Sequence, residues 1–173
     1  MSDAIMIDLE TFGPAPGGAI VSIGAVAFNY EGGEQGRFYV NVEGGGRVID
    51  ERTMRWWLQQ GKAAQEALFD PKPEPLSEAL KGLSKFILER KPKHVWANGV
   101  SFDLVLLRDA WKGYPPWSYK QEMCMRPLRV LGERLGVQWG TFQTSDASVA
   151  HNAVDDAYEQ AMYVCEVMRR AAK

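Results

Sequence analysis

Asp8 and Glu10, in Ile7-Asp8-Leu9-Glu10-Thr11, are two carboxylates two residues apart at the end of an apolar run. Residues two apart on a strand point to the same face, and like charges side by side on one face repel. The pair makes sense when a cation sits between them. A solvated strand end explains the same two residues without any chemistry.

Asp103 follows another apolar run, in Ala97-Asn98-Gly99-Val100-Ser101-Phe102-Asp103. Gly99 permits an unusual backbone or the close approach of a ligand. Asp103 falls in the first turn of the next helix, where the dipole favours an anion. An ordinary first-turn acid with Ser101 as N-cap accounts for it equally.

The third segment is His151-Asn152-Ala153-Val154-Asp155-Asp156-Ala157. Asn152 reads as an N-cap, with Asp155 at the capping-box position three residues later. His151 then lies just outside the helix and Asp156 on its first full turn. A hydrophobic staple would place apolar residues at those two positions. Giving up that stabilising choice at both points to function. As a loop residue His151 is free to move; its competing reading is a solvent-exposed loop residue.

Trp56 and Trp57 are adjacent, so one helical stripe cannot centre on both. Trp57 aligns with Met54, Leu58 and Gly61 as a core face. Trp56 shares its side with Arg52, Gln59 and Gln60, and is either half-buried packing or a platform on which a base stacks. His94 reads as a strand-edge residue. The Gly13–Gly18 loop lacks the lysine and spacing of a phosphate-binding loop, and zinc-site and serine-hydrolase signatures are absent.

The elements that must position these residues read as follows. Residues 4–8, 19–29 and 37–42 are strands joined by short loops, an antiparallel meander. Residues 51–60 and 76–90 look helical, the second with Leu76, Leu80, Leu83 and Ile87 on one face. Residues 94–98 form a buried strand. Residues 102–112 form a helix stopped at Gly113-Tyr114-Pro115-Pro116, and residues 125–135 another closed by Gly136. A last helix runs from Asn152, with Val154, Ala157, Tyr158, Ala161, Cys165 and Met168 as its apolar stripe. This order implies a mixed sheet covered by helices, in a single domain over residues 1–173.

With 46% hydrophobic and 24% charged residues, the composition is that of a soluble globular protein. Apolar runs stop well short of a membrane span, and residues 1–4 lack the start of a secretory signal. Cys124 and Cys165, both in helix-like stretches, fit reduced thiols and a cytoplasmic location. A net charge of −2 argues against a module that coats long duplex. It leaves room for an enzyme that handles chain ends with a local grip.

Taken together, the order Asp-x-Glu on the first strand, Asp opening a helix after a central strand, and His five residues before Asp on the last helix resembles the DEDD superfamily of 3′–5′ exonucleases. The His-x-x-x-x-Asp spacing resembles its DEDDh branch, and the Thr53–Trp57 segment looks like a compact bacterial and bacteriophage subgroup of exoribonucleases and exodeoxyribonucleases. The resemblance implies an α/β, ribonuclease H-like fold: a mixed five-stranded sheet, three antiparallel strands first, flanked by helices. It implies two Mg²⁺ or Mn²⁺ ions held by Asp8, Glu10, Asp103 and Asp156. Asp8 would bridge both ions, Glu10 and Asp156 would complete the site of the attacking water, and Asp103 would lie near the leaving oxygen. His151 would be the general base. Thr11 and Phe12 would contact the terminal nucleotide, and Asn98, Phe102 and Trp56 are further substrate-binding candidates. The chain departs from the family pattern at Asn98-Gly99, which bears on local substrate contacts.

The expected activity is hydrolysis of RNA or DNA from the 3′ end, releasing nucleoside 5′-monophosphates. Its partners are single-stranded or overhanging 3′ ends, and relatives are often homodimers. The chemistry agrees independently, since two ions about 4 Å apart activate a water and stabilise a leaving alkoxide. Two rivals share the fold or the metal chemistry: a catalytically silent nucleic-acid-binding module, and a phosphodiesterase acting on small nucleotides.

Overall fold

Strand β1 (Ala4–Thr11) is the centre of a five-stranded sheet ordered β3-β2-β1-β4-β5. The computed structural model describes residues 2–69, 72–111, 114–142 and 151–173. β2 (Ile20–Phe28) pairs antiparallel with β1, and β3 (Glu34–Asn41) antiparallel with β2. On the other side, β4 (His94–Ala97) runs parallel to β1, and β5 (Glu122–Cys124) parallel to β4. The mixed, five-stranded α/β architecture expected from the sequence is therefore present. Because β1 and β4 are parallel, their C-terminal ends open on the same side. In open α/β sheets that crevice is where ligands bind.

The period-2 pattern of β1 sorts its side chains cleanly. Ile5, Ile7 and Leu9 join Ile23, Ala25 and Ala27 of β2 in a core with helices α3 (Leu76–Arg90) and α4 (Asp103–Trp111). Ala4 and Met6 face the other way, into a core with Val26, Phe28 and Trp96 under helix α6 (Ala153–Ala171). Asp8 and Glu10 continue this second row. Helix α3 matches its sequence-derived range and buries Leu80, Leu83 and Ile87, with Leu76 packed partly against the same core.

Several local expectations are corrected. β1 extends to Thr11 rather than ending at residue 8, so Asp8 lies inside the strand and Glu10 near its end. The helix expected over residues 51–60 ends at Trp57 as α1 (Glu51–Trp57), and a second short helix α2 (Lys62–Leu68) follows. Leu58, assigned above to the core face, is its C-cap and is 73% exposed. Trp57 is buried as expected, with Val21, Ala64 and Leu68. Cys124 closes β5 rather than lying in a helix; a three-residue edge strand carries too little periodicity to be read. Helix α5 (Met125–Arg134) ends as expected: Gly136 adopts φ +70°, and the Val137 amide donates to the Gly132 carbonyl at 2.9 Å. Met168, the last member of the α6 stripe, is 39% exposed. The expected stop at Gly113 lies outside the described residues. Among the described residues no helix is long and apolar enough to cross a membrane.

Candidate active site

The first turn of helix α6 reaches the sheet at one glycine. Gly24 of β2 is the cross-strand partner of Asp8. A Cβ on Gly24 would sit 2.1 Å from the Ala153 carbonyl group and 2.3 Å from the Val154 nitrogen. The first turn of α6 therefore rests directly on β2 beside Asp8. Asn152 caps that turn, accepting from the Val154 amide at 3.1 Å and the Asp155 amide at 3.4 Å. The cap holds Asp156 over Asp8 and Glu10. The β1/β2 register shifts between Glu10 and Thr11, the kind of irregularity that re-aims side chains next to active sites.

From the β4 side, the turn after Ala97 leads into α4. The Phe102 and Asp103 amides donate to the Gly99 carbonyl at 2.8 Å and 3.1 Å, and the Gly99 amide donates to the Asp103 carboxylate at 3.4 Å. Asp103 is 3% exposed. It sits in the first turn of α4, as the ordinary reading also had it, but is buried there.

These elements converge on one cleft of 180 Å³, lined by Asp8, Leu9, Glu10, Asn98, Gly99, Phe102, Asp103, Arg126, His151 and Asp156. All five residues expected to carry chemistry are there, with Asn98 and Phe102. One potential ligand atom each from Glu10, His151 and Asp156 lie within 4.8 Å of one another. Thr11, Phe12 and Trp56 do not line this cleft. Thr11 is buried, and its carbonyl accepts from the Trp57 indole at 2.9 Å. Phe12 packs against the Trp57 cluster. Trp56 borders a neighbouring hollow with Pro14, Asp50, Arg52 and Thr53.

His151 is held rather than free. Its ring stands edge-on to Trp56 at 4.9 Å between centroids and to Trp57 at 5.9 Å. Its φ is +63°, a left-handed conformation uncommon outside glycine. Strain of that kind persists where surroundings over-determine it, and it clusters at functional sites. The two residues that replace the hydrophobic staple are also coupled, since the His151 backbone opposes the rise that burial imposes on the Asp156 carboxyl.

The electrostatics are those of carboxyl groups crowded out of water. Burial, then the charges of Asp103, Glu10 and Asp156, pushes Asp8 well above the usual carboxylate range, opposed by a Gln160 hydrogen bond. Burial, then Asp156 and Asp103, raises Glu10 to about 8. Burial raises Asp103 to about 7 against the pull of backbone amides and Arg126, and Asp156 to about 6. Burial lowers His151. Four carboxyl groups that resist ionisation in one cleft fit a group that brings positive charge.

Residues 3–168 match the family described as the 3′-5′ exoribonuclease Rv2179c-like domain. The chain belongs to this family. No curated relative matches the sequence. Among solved structures, the zinc-bound form of an E. coli ExoI–ssDNA complex superimposes with a TM-score of 0.73 at 18% identity, covering 100% of this chain and 42% of that one. Exonuclease X in complex with 5′ overhanging duplex DNA gives 0.59 at 20% identity, covering 98% and 93%. The chain thus spans about two fifths of the E. coli enzyme's length, and at these identities the likeness is one of fold.

Two residues of the site in this Rv2179c-like domain escaped the sequence reading. Gln160 is 3% exposed, and its amide donates to Asp8 Oδ1 at 2.8 Å. A polar residue one turn after Asp156 on the buried side of an amphipathic helix was the signal available. Arg126 lines the cleft from the start of α5. Nothing in its local sequence marks it, because the juxtaposition with Gly99 is made by β4 and β5 pairing.

Proposed function

We propose that this chain is a 3′–5′ exonuclease that hydrolyses RNA or DNA from single-stranded or overhanging 3′ ends and releases nucleoside 5′-monophosphates. The observation that carries the reading is the convergence of Asp8, Glu10, Asp103, His151 and Asp156 on one cleft. The family's description and the nucleic-acid complexes of its structural likenesses support it.

Asp8, Glu10, Asp103 and Asp156 would hold two Mg²⁺ or Mn²⁺ ions, hard cations that suit oxygen donors. Such ions supply an activated water and stabilise charge on the leaving oxygen. His151, kept neutral at pH 7 by burial, accepts the proton of the attacking water on an imidazole nitrogen. Water adds to the terminal phosphodiester phosphorus, and the bond to the penultimate O3′ breaks. That oxygen then takes a proton from solvent, leaving a shortened strand with a 3′-hydroxyl. Trp56 and Trp57 orient the imidazole, and Gln160 orients Asp8. Asn98 and Phe102 form substrate contacts inside the cleft in this reading, and Thr11, Phe12 and Trp56 would contact the strand beside it. A homodimer and a cytoplasmic location belong to it as well.

Digestion of 5′-labelled RNA and DNA oligonucleotides, with and without Mg²⁺, tests the proposal. The expected result is a ladder shortening from the 3′ end only with metal. Cutting of a circular single strand, full activity after exhaustive chelation, or cleavage restricted to mononucleotide esters would overturn it. Binding without cleavage would favour the silent module.

A further inference from the structure

Every titratable side chain lining the cleft except one is a carboxylate or the imidazole of His151; the exception is Arg126. Its guanidinium lies against Gly99. A Cβ there would meet Nη2 at 2.8 Å and Cζ at 3.0 Å, so only glycine leaves the group where it is. Gly99 shows no left-handed backbone. What its missing side chain admits is this guanidinium. Arg126 is solvent-exposed, and among the described residues no hydrogen bond or ion pair engages it. Arg108 and Arg170, by contrast, are engaged, with Glu122 and Glu166. The sheet order puts Arg126 on the β4–β5 flank of the cleft, while His151 leads the helix packed over β1 and β2.

A planar guanidinium with its donors free recognises phosphate oxygens in a bidentate manner. The cleft measures 180 Å³, about six waters' worth at roughly 30 Å³ each. That suits a phosphodiester group rather than a whole nucleotide. We propose that Arg126 is a substrate-binding residue that grips the non-bridging oxygens of the terminal phosphodiester from the flank opposite His151, with Gly99 holding open the space it occupies. The proposal rests on the exonuclease reading for the identity of that phosphate. Its attraction to Asp103 is the competing role, a counter-charge for the carboxylate alone.

The test measures affinity of the wild type, Arg126→Met, Arg126→Lys and Gly99→Ala for a single-stranded oligonucleotide, with Ca²⁺ replacing Mg²⁺ to permit equilibrium binding. A second oligonucleotide carries a neutral methylphosphonate at its 3′-terminal linkage. Arg126→Met is expected to weaken binding of the natural strand about 10- to 100-fold, the scale of hydrogen bonds to a charged group. Arg126→Lys should keep part of that affinity, as a point charge without the fork. Gly99→Ala should reproduce part of the loss by displacing the guanidinium. All three should bind the methylphosphonate strand as the wild type does. An equal loss on both strands, no loss on either, or a loss confined to Ca²⁺ affinity measured without oligonucleotide would overturn the proposal. Wild-type protein that fails to degrade nucleic acid in Mg²⁺ would remove the exonuclease reading, while a linkage-specific Arg126 effect would still stand.

Discussion

Ile7 and Asp8 are neighbours on β1, yet they face two different kinds of interior. Ile7 is fully buried in an apolar cluster with Ile5, Leu9, Ile23 and residues of helices α3 and α4. Asp8 shares its row with Ala4 and Met6 but lies where α6 begins, at a half-open cleft shared with three more carboxyl groups. One face contributes stability; the other spends stability to hold charges that disfavour one another. The lesson is that burial alone does not distinguish core from site. The partners above the strand do.

Two substitutions one residue apart would break this comparison most sharply. Asp8→Asn is expected to abolish turnover while leaving the metal-free protein as stable as wild type or more so, since it removes one of the crowded ionisable groups. The stabilisation gained from added Mg²⁺ should shrink. Ile7→Ala should do the reverse, costing about 2–5 kcal/mol of stability with near-normal turnover per folded molecule. Paired melting curves and kinetics check both. A large fall in metal-free melting temperature for Asp8→Asn would make it a structural residue like its neighbour.

His151→Ala tests whether the strained histidine belongs to the reactive side. A drop in turnover of about 10²–10⁴-fold with metal binding intact is expected of a general base. Near-wild-type turnover would remove it from the mechanism, and lost metal binding would make it a ligand, as its place near Glu10 and Asp156 also permits.

Gln160→Leu reaches the same face from helix α6. It keeps the volume and removes the 2.8 Å hydrogen bond to Asp8. Outer-shell partners of this kind typically contribute about 10–100-fold in metal affinity or activity. Titration calorimetry with Mn²⁺ reads the effect directly, and an unchanged affinity would reduce Gln160 to packing.

The contrast is also sharpened through pH. Glu10, Asp103 and Asp156 hold protons in the folded protein up to about 8, 7 and 6, against ordinary values of 4.5, 3.8 and 3.8. Their stabilising contribution is complete below about pH 4 and is lost as pH rises through 6 to 8. The melting temperature of metal-free protein should therefore fall as pH rises from about 5 to 8, at about 2–4 °C per kcal/mol for a chain of this size. His151, lowered by burial, acts in the opposite sense on the acid side. Saturating Mg²⁺ should flatten the slope. Ile7→Ala should keep it, and Asp8→Asn should reduce it.

Much of this molecule is written in short-range pattern. The alternation in residues 4–11, the four-residue spacing in residues 76–90 and the Asn152 cap each lie within a few positions, where backbone geometry alone relates side chains. The five residues expected to carry chemistry gave local signals that ordinary structural roles also explained; their order along the chain, in its resemblance to the DEDD exonucleases, singled them out. What escaped was set by distance along the chain. β5 has three residues and exists because β4 is beside it. Gln160 reaches Asp8 across 152 positions. Arg126 meets Gly99 only after two strands pair, and the two tryptophans meet His151 only after α1 and α6 close on the same edge. Periodicity reports which face of an element is apolar, but not what the fold places opposite it; that is decided by the packing of elements far apart in the chain.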